Sequence, residues 1–260
     1  MEWTDDGIVL TTRAHGESAS VAVLLTEAHG RHAGLVHGAR SGRNRGVLQA
    51  GNRVRAAWRA RLAEHLGNYT CEGLDHSGSD MLEDAMRLAG LMSACAVADK
   101  SLPEREPHPN VYYGLGALID TMANPDLGDA WIAVYVRWEL GLLADLGFGL
   151  DLTTCAATGA KSDLVYVSPR SGRAVSREGG AAYRDKLLAL PGFLTDITKL
   201  QADDLADDFR AGLALTGYFL DRHVFGAHHQ EAPAARSRFI ERLRPADRAG
   251  LEKEISHDDG

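Results

Sequence analysis

A chain of 260 residues is long enough for one large or two ordinary domains. An apolar fraction of 45% fits a soluble globular protein, and no apolar run reaches the roughly 18 residues of a membrane-spanning helix. Three widely spaced cysteines (Cys71, Cys95, Cys155) offer no disulfide framework, and acids in MEWTDDGIVL stand where an export signal needs positive charge, so a cytoplasmic protein is expected.

In chain order, residues 7–12 (GIVLTT) and 20–26 (SVAVLLT) read as strands, joined by a turn containing Gly16 and Ser18. Residues 33–39 (AGLVHGA), 52–62 (NRVRAAWRARL) and 66–73 (LGNYTCEG) add three more. Val54, Ala56 and Trp58 share one face of the fourth. Five short strands within about 75 residues predict an OB-type barrel, a fold whose strand face and loops bind oligonucleotides.

Helical patterning begins at Met81. In 84–102, Leu88, Leu91, Met92 and Cys95 fall on one face. The linker PEREPHP follows, and Asn110 is the expected N-cap of a helix over 111–123. In 127–146, Trp131, Tyr135, Trp138, Leu142 and Leu146 form a stripe read as core. A Gly-, Ser- and Thr-rich insertion at 147–194 carries the strand-like LVYVS. Helices are expected again over 203–225 and 234–243, before a polar tail that should fray.

Charge is unevenly placed. Residues 1–80 hold nine basic and nine acidic side chains, so the whole formal net charge of −8 belongs to 81–260. Within the neutral part, the 36 residues from Ala28 to Ala63 contain eight arginines and no acid. Arginine's planar fork binds phosphate bidentately and stacks on bases. Arg31, Arg40, Arg43, Arg45, Arg53, Arg55, Arg59 and Arg61, with Trp58 as a stacking ring, are therefore candidate nucleic-acid contacts. Arg40, Arg43 and Arg45 fall in RSGRNR, read as an exposed loop between strands.

Enzyme chemistry finds no foothold. There is no CxxC pair, HExxH, GxSxG or GxxxxGK[ST]; the adjacent His228 and His229 point apart and read as surface residues; Asp203, Asp204, Asp207 and Asp208 sit where a helix start favours acids. No catalytic residue, metal or cofactor is expected.

In combination, Gly7-Ile-Val-Leu10, Glu27-Ala-His-Gly30, Gly34-Leu-Val-His-Gly-Ala-Arg40, Leu48-Gln-Ala-Gly51, the linker Leu102–Pro109, Trp138-Glu-Leu-Gly-Leu-Leu-Ala-Asp-Leu-Gly-Phe148 and Leu215-Thr-Gly-Tyr-Phe-Leu-Asp-Arg222 make the chain resemble the bacterial RecO family of recombination mediators. The resemblance spans nearly the whole chain. It implies an α+β protein: an N-terminal OB-fold β-barrel over 1–80, an α-helical domain over 81–250, and a polar tail over 251–260. It implies binding of single- and double-stranded DNA, annealing of complementary strands, and work in the cytoplasm at the nucleoid. RecR, the C-terminal tail of single-stranded-DNA-binding protein and, indirectly, RecA are the implied partners. An RNA-binding OB protein is the alternative, and a nuclease or hydrolase the enzymatic rival.

Members often carry a zinc finger built on two CxxC pairs. Here the corresponding positions read Cys155-Ala-Ala-Thr158 and Ser176-Arg-Glu-Gly179. One thiolate cannot make a Cys₄ site. The expectation is a zinc-finger-like lobe at about 150–182 that lacks its zinc ligands, a β-hairpin held by Val165, Tyr166, Val167 and Val175.

Overall fold

The computed structural model describes residues 1–39, 46–75, 77–201 and 205–243. They pack into two compact units, Met1–Gly128 with Pro233–Arg236, and Asp129–Ala232 with residues 237–243.

In the first unit, five strands close into a barrel in the order β1-β2-β3-β5-β4: β1 Glu2–His15, β2 Ala19–Thr26, β3 Gly30–Val36, β4 Arg53–Arg59 and β5 Asn68–Gly73. All pairings are antiparallel except β3 with β5, which meet at Leu35↔Asn68 and Val36↔Tyr69. Val9, Ala22, Leu24, Val36, Val54, Ala56, Trp58 and Tyr69 fill the interior.

β1 is twice as long as its apolar pattern predicts. Its polar half, Glu2–Asp6, pairs with β4, while Gly7–His15 pairs with β2 across a bulge between Val9 and Thr11. Asp5 and Asp6 are stable in that half because each has a donor beside it: Asp5 accepts from the Ala28 N–H at 2.8 Å, and Asp6 lies opposite Arg55. β2 is buried on nearly every side chain, with barrel interior on one face and a helix on the other, which accounts for its unbroken apolar run.

That helix, α1 (Ala85–Ser101), is capped by Asp84, whose carboxylate accepts from the Met86 and Arg87 N–H groups. Its buried side is made of small residues and Leu91, Cys95 and Val97; Met92, expected among them, is exposed. α2 (Pro109–Ala123) starts before the expected cap Asn110. Proline occupies the first turn, where its missing N–H costs nothing, and His108 is the cap position. Because α1 packs on β1 and β2, the compact unit runs past the change of pattern at residue 80.

The linker between α1 and α2 lies against β3. Gly30 has φ +64°, and a Cβ there would stand 1.8 Å from the Glu106 carbonyl oxygen, so only glycine fits. Beside it the Arg105 N–H donates to the Arg31 carbonyl at 2.8 Å.

In the second unit, α3 (Trp131–Asp145) packs on α4 (Ala206–Phe219), which runs on as a π-helical turn, Leu220–Phe225. Trp131, Tyr135, Trp138 and Leu142 are buried, the first two against Phe239 of α5 (Ala234–Arg242), so the aromatic stripe is core. Buried Glu139 accepts the Thr216 hydroxyl proton. The inserted lobe exceeds the expected hairpin: β6 (Leu164–Val167) and β7 (Ala174–Ser176) are joined by a third strand, β8 (Leu188–Ala189), in the order β7-β6-β8. Val167 and Val175 are buried; Val165 and Tyr166 are half-buried.

Candidate nucleic-acid interface

The arginine-rich stretch is free of acids in sequence but not in space. On β4 the alternation sends Val54, Ala56 and Trp58 inward and Arg53, Arg55 and Arg59 outward. Arg55 faces Asp6 of β1 and grips it with two N–H···O bonds of 2.8 and 3.0 Å. These bonds hold the Asp6 carboxyl below the usual carboxylate range and raise the guanidinium. Arg53 is more enclosed. It donates to Asp75 at 2.9 Å, to the Gly116 carbonyl at 2.9 Å and to Asp120 at 2.8 Å. Arg31 of β3 donates to Asp99 of α1 at 2.8 Å.

Arg59 and Arg61 differ. Arg59 is 83% exposed and its nearest acid, the equally open Glu2, is 4.0 Å away. Arg61 is exposed just beyond β4, with no ion pair among the described residues. Arg40, Arg43 and Arg45 lie outside the described residues. Among the described candidates, then, Arg59 and Arg61 can meet a phosphate without first leaving a strong partner.

Trp58 is 3% exposed and belongs to the barrel core. Its indole N–H donates to the Leu66 carbonyl at 2.9 Å. Gly67 next to it has φ +64°, and a Cβ there would lie 2.4 Å from Trp58 Nε1. Stacking on a base needs an open ring face, which Trp58 lacks. An open aromatic group lies beside it instead: Trp3 of β1 is half-buried, parallel to Trp58 at 5.7 Å on one side and stacked on His29 at 4.0 Å on the other. His32 meets both tryptophans edge-on, at 5.1 and 5.0 Å. Burial, with the charge of Arg105 adding to it, pushes His32 down to about 4, so it is neutral at physiological pH and shares a 3.0 Å hydrogen bond with the Tyr69 hydroxyl. Trp3 lies in a polar segment, and His29 and His32 fall between the second and third of the expected strands. Extending the period-2 alternation of β1 back to Glu2 is the signal that exposes Trp3.

The match to families decides the setting of this surface. Residues 1–75 match the model described as "Recombination protein O N terminal", and residues 82–232 the one described as "Recombination protein O C terminal". The chain belongs to the RecO family. It is 55% identical over 248 residues to the DNA repair protein RecO of Rhodospirillum centenum, covering 95% of this chain and 96% of that one. It is 49% identical over 246 residues to the namesake of Rhodospirillum rubrum, covering 94% and 97%, and 49% identical over 248 residues to that of Phenylobacterium zucineum, covering 95% and 100%. A DNA repair and recombination family on an OB-like barrel makes nucleic acid the fitting partner for the surface above. No helix among the described residues is long and apolar enough to cross a membrane.

The zinc implied by the RecO resemblance does not fit the donors present. Cys155, Thr158, Ser176 and Gly179 do converge: Cys155 Sγ accepts from the Ser176 N–H at 3.2 Å, the Ser176 hydroxyl at 3.4 Å and the Thr158 N–H at 3.4 Å, and a Cβ on Gly179 would stand 3.1 Å from the same sulfur. Three of the four positions, however, offer no thiolate or imidazole. Among the described residues no group of three or more His, Cys, Asp or Glu is placed to hold a metal. Hydrogen bonds occupy the place of the metal ligands. Burial pushes the Cys155 thiol up, but the donors from Ser176 and Thr158 outweigh it and bring it down to about 6.

Proposed function

We propose that this RecO-family chain is a non-enzymatic mediator of recombinational repair, acting in the cytoplasm at the nucleoid. It binds single- and double-stranded DNA and anneals complementary strands. With RecR it helps load RecA onto DNA coated by single-stranded-DNA-binding protein, whose C-terminal tail it holds. Residues 1–80 form the DNA-binding module, residues 81–250 the helical module that meets partner proteins, and residues 251–260 a polar tail.

The observation that carries the reading is the coincidence of a family match over both halves with an OB-like barrel that exposes Arg59 at the end of β4 and Arg61 just beyond it. Two strands repel through their phosphates, and a basic surface that neutralises both lowers that barrier. Contacts to phosphate carry no sequence information, so any complementary pair is served. Arg40, Arg43 and Arg45 belong to the same acid-free stretch of the sequence.

A strand-annealing assay with the purified full chain tests this. The expected result is faster annealing of complementary DNA than in buffer, slowed in the Arg40→Ala, Arg43→Ala, Arg45→Ala variant. For that variant the slope of log affinity against log salt on single strands should flatten by about 0.7 per lost contact. Annealing no faster than in buffer would remove the reading. Matched RNA strands bound in preference to DNA would favour an RNA-binding protein.

A further inference from the structure

The aromatic ladder beside β4 is not used by phosphate contacts. It runs from the core outward: Trp58 at 3% exposure, then Trp3, then His29, whose side chain is 34% exposed. His29 and Trp3 lie within 8° of parallel. Asp5 holds the His29 ring through a 3.0 Å contact to Nδ1, so the outermost ring is fixed in orientation. The ladder opens into a cleft of about 460 Å³, lined by Trp3, His29, His32, Trp58, Ala63 and Arg105 among others. That volume lies within the roughly 300–1,000 Å³ of small-ligand sites.

The cleft wall is built with care. Arg105 has φ +63°, a left-handed backbone rare for a side-chain-bearing residue, and such outliers persist where surrounding structure holds them. From there it donates to three successive carbonyls of the β4–β5 loop: Ala63 at 2.6 Å, Glu64 at 3.2 Å and His65 at 3.0 Å. The loop is thereby fixed on one side of the ladder. Arg61 stands two residues before Ala63. Arg59 lines an adjoining cleft of about 410 Å³ that shares Trp3 and Trp58 with the first.

We propose that this cleft takes one unstacked nucleobase of a single-stranded nucleic acid, which stacks on the outer face of His29 and continues the His29–Trp3–Trp58 ladder, while Arg59 and Arg61 hold the flanking phosphates. The inference rests on the nucleic-acid reading above and adds where a base, as opposed to the backbone, is held. Stacking uses the π-face that every base has, so the subsite accepts any base. A base can enter only when unpaired. The subsite therefore favours single strands over duplex, and a base leaves it on pairing with its complement.

The test titrates the full chain with a thymidine oligonucleotide and with an abasic oligonucleotide of the same length and phosphate count. The wild type should bind the base-bearing strand tighter by about fivefold or more, the lower end for one base on an aromatic ring. His29→Ala should abolish that preference while keeping affinity for the abasic strand and the salt slope. His29→Phe, which restores a flat ring, should recover the preference. Equal wild-type affinity for the two strands would overturn the subsite and leave phosphate binding intact. A preference that survives in His29→Ala would overturn it too, by placing the bases elsewhere. Failure of the wild type to bind either strand would remove the nucleic-acid reading itself, and the subsite with it.

Discussion

Arg53 and Asp120 are 67 residues apart in the chain and 2.8 Å apart in space, N–H to carboxylate oxygen. The same guanidinium reaches Asp75 and the Gly116 carbonyl, so one arginine of the barrel ties β4 to α2. Its side chain is only 27% exposed; burial lowers its pKa, but the hydrogen bonds it donates to Asp120 and Asp75 outweigh that and raise it. Arg53→Ala removes the guanidinium from the Gly116 carbonyl, Asp120 and Asp75, of which Asp75 keeps the backbone N–H groups of residue 53 and Ser77. It should cost about 1–3 kcal/mol by urea denaturation. Asp120→Asn, at a 61% exposed carboxylate, should cost less than about 1 kcal/mol. A loss of DNA affinity in Arg53→Ala with unchanged stability would show that Arg53 serves a ligand and not the fold.

Arg55 and Arg59 sit two residues apart on the same outward face, yet they should behave differently toward DNA. Arg55 is committed to Asp6 through two hydrogen bonds, whereas Arg59 has only a 4.0 Å contact with exposed Glu2. Arg59→Ala and Arg61→Ala should each flatten the log-affinity against log-salt slope for single strands by about 0.7. Arg55→Ala should leave that slope unchanged, since the charge it removes is already balanced. Equal effects from all three would mean that DNA pulls Arg55 away from Asp6.

Much of this was legible from the residues. GIVLTT, SVAVLLT and the alternating RVRAAWR are strands because β-branched and alternating side chains suit a half-buried sheet, and the stripe from Trp131 to Leu142 is core because its spacing follows one helix face. The first half of β1 was not legible, because its acids are stabilised by partners that only the closed barrel supplies. For the same reason the acid-free stretch misleads. Asp6, Asp75, Asp99 and Asp120 are brought to its arginines by β1, α1, α2 and the turn after β5, and no local pattern announces them. The inward place of Trp58 was already written in its alternation with Val54 and Ala56. Its neighbour Trp3 stayed hidden in a polar segment.

The lobe retains the geometry of a metal site without the donors. Thr158→Cys, Ser176→Cys and Gly179→Cys made together should supply the missing thiolates around Cys155, since backbone and side-chain atoms at all three positions already lie within 3.5 Å of its sulfur or of one another. Elemental analysis should find one zinc per chain in the triple variant and no stoichiometric zinc in the wild type. Zinc in the wild type would refute the donor argument. None in the variant, with the lobe still folded, would mean that the strands have closed too far for Zn–S bonds of about 2.3 Å.

Cys155 should also leave a mark on stability against pH. Its thiol is brought down to about 6 from an ordinary value of 9.0, so between these values the folded state holds a thiolate where the unfolded chain holds a thiol. The unfolded state then binds the extra proton, and stability rises with pH. The contribution is complete above about pH 9, shrinks as pH falls, and is lost below about pH 6. Other groups titrate in the same window, His32 below it, and their effects cancel when variants are compared. Cys155→Ala should therefore lower stability more at pH 9 than at pH 6, by urea denaturation at both. A difference between wild type and variant that stays flat over this range would mean that Cys155 remains a neutral thiol, and that Ser176 and Thr158 donate to it without ionising it.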